Sequence, residues 1–147
     1  MVDASINPVI SIYNEDFYLW TQATAQKLKE GKFNELDITN LIEEVESMGR
    51  SEKRELKSRL IVLLMHLLKW EYQPEKRSQI WHSTISEQRI CIEELIEDSP
   101  SLQPLISELF DACYQKARQK AADETGIKLT FFPQESPFTV EEVLQSK

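Results

Sequence analysis

The apolar positions of this chain recur at three- and four-residue intervals almost throughout, which is the period of helices packed on one face. Phe17, Trp20, Thr24 and Leu28 open the pattern, with Asn14 available as a cap, Glu15 and Asp16 suited to a first turn, and Gly31 to stop the run. Residues up to about Tyr13 show no period and read as an N-terminal arm or tail. Asp37 is the next cap. Behind it Ile38, Leu41, Ile42, Val45 and Met48 share one face, bordered by Glu43, Glu44 and Glu46. Gly49 is expected to end or kink this second helix and Ser51 to cap a third. The third opens with the charged turns "EKRELKSR" and becomes apolar nearly all round through "LIVLLMHLLKW", as a helix at the centre of a bundle does.

Pro74 removes a backbone donor and turns Gln73 away from helical dihedrals, so the chain is expected to fold back there. A fourth helix carries Trp81, Ile85, Ile92, Leu95 and Ile96, with Gln88 as the polar member of its apolar face. "SPS" at 99–101 supplies a cap and a proline for the fifth, whose row runs from Leu102 through Ile106, Phe110, Cys113, Tyr114 and Ala117 to Ala121 and ends before Gly126. Residues 127–147 read as an extended segment that tucks Phe131 and Phe132 into a groove. A short last helix follows, opened by a capping box of Thr139 and Glu142. No repeat, low-complexity tract or linker divides the 147 residues. The expectation is an all-α, single-domain helical bundle of about five main helices, spanning 1–147.

Charge refines this picture. The net charge of −8 disfavours broad binding to nucleic acid or to an anionic membrane, and the longest apolar run, Leu60 to Leu68, is far short of the ~20 residues that span a bilayer. Residues 50–89 nevertheless hold nine basic against five acidic side chains, between flanks that are both acidic. Either oppositely charged helices pack side by side, or the middle helices offer an anion site. Cys91 and Cys113 lie far apart with no CxxC pairing, and the N-terminus has no signal-peptide pattern, so a cytoplasmic protein is expected.

Helical geometry then isolates one set of polar residues. Arg59, His66, Trp70 and Gln73 point within a sector of roughly 60° on the third helix, and Arg77, Trp81, Thr84 and Gln88 form an equally narrow stripe on the fourth. Folded together at Pro74, the two stripes make a polar seam edged with aromatic rings, with Glu43 and Glu44 as candidate counter-charges for Arg59 or Arg77. Two readings of the seam stand. It is internal glue, a satisfied network that fixes which helix faces meet; or it is an open site for an anion or nucleotide, with arginine for charge and tryptophan for stacking.

The blocks "LIEEVESMGRSEKRELKSRL", "HLLKWEYQPEKRS", "TISEQR", "SPSL", "ETGI" and "FPQESPFT" occur in this order over nearly the whole chain after Asp16. They resemble the signature blocks of the domain of unknown function family numbered 29, a largely cyanobacterial group. The resemblance implies a helical fold. It places the Glu43–Glu44 pair, His66, Trp70, Gln73, Arg77, Gln88 and Arg89 within signature blocks and assigns them no chemistry.

Catalytic motifs are sparse. Neither His66 nor His82 has a glutamate three residues before it, as a di-metal carboxylate bundle needs, and no cysteine cluster, Gly-rich phosphate loop or G-x-S-x-G is present. No metal or cofactor is therefore expected. Arg59 and His66 do make an R-x6-H spacing that looks like the loose motif of helical ribonucleases of toxin systems, with histidine as general acid or base and arginine on phosphate. Leu60 after the arginine departs from that pattern. The principal expectation is a non-catalytic interaction or scaffold module whose partner is another protein or a second copy. RNA binding or cleavage, and anion binding in the seam, stand as alternatives.

Overall fold

The computed structural model describes residues 8–145, with side chains from Ile12 onward. Among the described residues all regular structure is helical. The helices are α1 (Pro8–Glu15), α2 (Phe17–Lys29), α3 (Ile38–Tyr72), α4 (Gln79–Asp98), α5 (Gln103–Thr125) and α6 (Val140–Leu144), with single 3₁₀ turns between several of them. The chain forms two compact units, one ending at Ser51 and the other beginning at Glu52.

The first unit departs most from the sequence reading. Residues 8–13 of the expected arm are helical, Pro8 serving at the first position of α1; residues 1–7 lie outside the described residues. Asn14 is therefore inside α1, and the cap of α2 is Asp16, whose Oδ1 accepts from the Leu19 amide at 3.0 Å. Gly31 ends the run at φ 73°, a left-handed conformation that glycine adopts without Cβ strain. Asp37 caps α3 as expected, accepting from the Asn40 amide at 3.2 Å.

The expected break at Gly49 and cap at Ser51 do not occur: α3 is one helix of 35 residues. A glycine inside a helix costs only about 1 kcal/mol relative to alanine, and here it stands among helix formers with no proline near. The boundary between the units thus falls within a continuous helix, which is why no linker marks it in the sequence.

In the second unit the apolar part of α3 supplies the centre of the core. Leu56, Leu60, Leu63, Leu64 and Leu68 are fully buried, with Ile85 and Ile92 of α4 and Ile106, Phe110, Cys113, Tyr114, Ala117 and Ala121 of α5 in the same cluster. The stretch "SPS" makes a separate 3₁₀ turn at Pro100–Leu102, so the proline in the first turn of α5 is Pro104, not Pro100. Gly126 caps α5 at φ 75°.

Beyond Gly126 the chain runs as a strap. Its prolines remove donors and it has no partner strand, so its carbonyls take side-chain donors from α5 instead: Tyr114 Oη to Pro133 O at 2.6 Å, Gln115 Nε2 to Gln134 O at 2.7 Å and Arg118 Nε to Phe132 O at 3.1 Å. Burial pushes the Tyr114 hydroxyl up to about 12, which keeps it a donor. Phe132 is buried, but Phe131, expected beside it, is 58% exposed and only lays its ring edge-on near Tyr72 and Phe132. The expected extended run is interrupted here: Phe131 closes a 3₁₀ turn, Leu129–Phe131, and only Phe132, in extended conformation after it, is sealed in the core. The capping box forms, with Thr139 Oγ1 accepting from the Glu142 amide and the Glu142 carboxylate accepting from that of Thr139.

Candidate functional site

The seam is built by the turn at Pro74. Helix α3 ends at Tyr72, Gln73 leaves helical space, Pro74–Lys76 make one 3₁₀ turn, and Ser78 starts α4 by accepting from the Trp81 amide at 3.2 Å. The helices then meet antiparallel. Close to the turn the Arg77 guanidinium lies 4.9 Å from the centre of the Trp70 ring while its Nε donates to the Trp70 carbonyl at 2.8 Å. Trp70 and His82 rings are 6.2 Å apart, and the Lys69 ammonium sits 4.8 Å above the Trp81 ring. Farther along, Arg59 Nη1 donates to Gln88 Oε1 at 3.4 Å.

The individual residues divide as follows. Gln73 and Gln88 are buried, Trp70, Trp81, Thr84, Arg59 and His66 partly so, and Arg77 is exposed. Thr84 turns to its own helix, its hydroxyl donating to Ile80 O at 3.0 Å. His66 likewise donates from Nδ1 to Val62 O at 2.9 Å, one turn back. Burial is the main cause holding its pKa below the usual histidine value, so the ring is neutral at pH 7. Arg59 also reaches the Glu55 carboxylate at 3.3 Å, which a phosphate would have to displace.

The candidate counter-charges have other partners. Glu43 pairs with Arg50 at 2.6 Å, and Glu44 accepts from the Tyr13 hydroxyl at 2.5 Å, a bond that pushes the Tyr13 phenol up to about 12. The sequence reading placed them opposite Arg59 or Arg77, but Arg59 takes Glu55, one turn away on its own helix, and Arg77 takes a carbonyl.

Lys69 is the residue the sequence reading missed. It is 7% exposed, and besides Trp81 it meets Glu124 of α5 at 2.9 Å. The signal was there: Ile61, Met65 and Lys69 follow at i, i+4 and i+8, so the lysine continues a buried row. Arg89 is a second addition. Its Nε donates to Val143 O at 2.8 Å and its Nη2 to Glu142 O at 3.3 Å, both carbonyls of the last turn of α6. Each of these contacts joins one segment of the second unit to another.

A different surface stands out in the first unit. The apolar row read from the sequence on the early part of α3 is not covered: Ile38 is 51%, Ile42 53%, Val45 54% and Met48 62% exposed. Leu41, which helical spacing places between Val45 and Met48 in the same row, is partly buried. The buried centre of this unit is instead Trp20 and Thr24 of α2 with Asp37, while the rings of Phe17 and Trp20 stack at 5.7 Å and Tyr13 meets both edge-on, at 5.8 and 4.9 Å.

Among the described residues, no group of three or more His, Cys, Asp or Glu is placed to hold a metal ion, and no helix is long and apolar enough to cross a membrane. The class defined is thus an all-α protein whose central long helix is clamped to its neighbours by cation–π and charge-assisted contacts. The chain belongs to the family described as domain of unknown function DUF29, whose family model matches residues 12–147. No curated protein and no solved structure matches it.

Proposed function

We propose that this is a cytosolic, non-catalytic interaction module, in which the first unit presents the binding surface and the seam of the second unit is structural glue. The observation that carries the reading is the row Ile38, Ile42, Val45 and Met48, four large apolar side chains on one helix face, each more than half exposed. A stripe of this width is what a helix buries against a partner, and its exposure on a charged protein is a recurrent mark of an interaction site. The seam supports the same reading from the other side. Its charged groups have partners within the unit, Lys69 with Glu124 and Arg59 with Glu55, and its histidine is neutral and bonded to its own helix.

The test is capture from native lysate with wild type and with Val45→Glu. A protein recovered with wild type and lost with Val45→Glu is the expected result. Recovery of the same proteins with both variants would refute the reading. Because Val45 is exposed, circular dichroism should report the same helix content for the two.

A further inference from the structure

We infer that the exposed face of α3 between Ile38 and Met48 receives an amphipathic helix whose apolar row is bordered by lysine or arginine; this rests on the interaction reading above and adds the chemistry of the partner. At 100° per residue, Ile38, Ile42, Val45 and Met48 cover a sector of roughly 120°, wide enough to seat one helix, with the partly buried Leu41 lying inside it between Val45 and Met48. The edges of that sector are acidic on both sides. Glu46 follows Ile42 by one helical turn and lies about 40° beyond it, while Glu44 precedes Met48 by one turn and lies about 40° beyond that edge. Glu46 is exposed and makes no ion pair among the described residues. Among the described residues Glu44 bonds to the neutral Tyr13 hydroxyl and meets no cation.

Charge selects among the possible occupants. Through Ser51 the chain carries nine acidic and four basic side chains, so a second copy would set two acidic rims against each other. An anionic lipid surface is disfavoured by the same charges. Size points the same way: four half-exposed side chains offer on the order of a few hundred Å², below the roughly 800 Å² per partner of a stable dimer. A helix with a basic rim meets both the apolar row and the two glutamates, in the helix-on-groove mode where anchors recur at i, i+3, i+4 and i+7.

The experiment uses the full chain and two synthetic helices of roughly 21 residues, both with leucine at the a and d positions of the heptad, one with lysine at e and g and the other with glutamate. Isothermal titration calorimetry at about 50 mM salt should show the lysine helix binding about tenfold tighter than the glutamate helix or better, and weakening severalfold when salt is raised to about 300 mM. Val45→Glu should weaken it by about tenfold, and Glu46→Lys should reduce the preference for the lysine helix about threefold or more. Equal binding of both helices, lost together in Val45→Glu, would overturn the charge rule and leave the interaction reading standing. Binding of neither helix, or binding indifferent to Val45→Glu, would overturn the inference. Self-association in sedimentation that is reversed by Val45→Glu would assign the face to a second copy instead.

Discussion

Lys69 and Glu124 make the most informative single perturbation in the molecule because their burial is so unequal. The lysine side chain is 9% exposed and the glutamate 52%, at 2.9 Å. Desolvation therefore falls almost entirely on the ammonium, while the carboxylate, returned to water, loses little. Breaking a fully buried pair by removing one partner costs about 3–5 kcal/mol. Here Glu124 is half in water and Lys69 keeps the Trp81 face, so the coupling should be about 1–2 kcal/mol. Lys69→Met places an unbranched apolar chain in the row of Ile61 and Met65 and removes the desolvated charge; it should stay within about 1 kcal/mol of wild type. Glu124→Ala also gains helix propensity and relieves a negative charge in the last turn of α5, so the double-mutant cycle, not the single variant, is the measure. Urea unfolding followed by tryptophan fluorescence resolves this, since about 2 kcal/mol moves the midpoint by roughly 1 M. The Glu124→Ala change should cost about 1–2 kcal/mol more in the wild-type background than in Lys69→Met. A coupling below about 0.3 kcal/mol, or a Lys69→Met loss above about 2 kcal/mol, would refute the claim that the lysine is held there by its ion pair against a desolvation penalty.

Two further outcomes follow from perturbed groups. Burial lowers the folded-state pKa of His66 below its unfolded value, so its contribution to stability is present above the unfolded pKa and is lost as pH falls through the folded one. His66→Gln should then flatten the decline in urea midpoint between about pH 7.5 and 5.5, and an unchanged slope would argue against a desolvated ring. Cys113 is buried, which pushes its thiol up, while Cys91 is only partly buried; native protein should take one alkylating group rapidly and the second only on denaturation. Equal rates, read by mass spectrometry, would contradict that packing.

Much of the helical layout was legible because its causes are local. The row on α5 from Leu102 to Ala121, the caps at Asp37 and Thr139, the stop at Gly31 and the turn at Pro74 each depend on side chains within one or two turns. Angular spacing along a helix is likewise a property of sequence alone, but it reaches only Arg59, His66 and Trp70 on α3 and Trp81, Thr84 and Gln88 on α4, since Gln73 and Arg77 lie in the turn outside both helices. The partners of these residues were not legible. Arg59 with Gln88, Lys69 with Glu124 and Trp81, and Arg77 on Trp70 depend on how α3, α4 and α5 meet, and Glu43 and Glu44 bond to Arg50 and Tyr13 because charge attraction selects no partner until the helices are placed.

By itself the sequence determined that this chain is helical, which residues share each helix face, that the chain turns at Pro74 and that α5 stops at Gly126, because those follow from backbone period, proline geometry and glycine caps. Only the tertiary structure decided which faces are covered. Periodicity marks Ile38, Ile42, Val45 and Met48 as an apolar row as plainly as it marks Leu56, Leu60, Leu63 and Leu64, yet the first row is open to solvent and the second is sealed. Burial is set by neighbours distant in sequence, and no local pattern records whether those neighbours arrive.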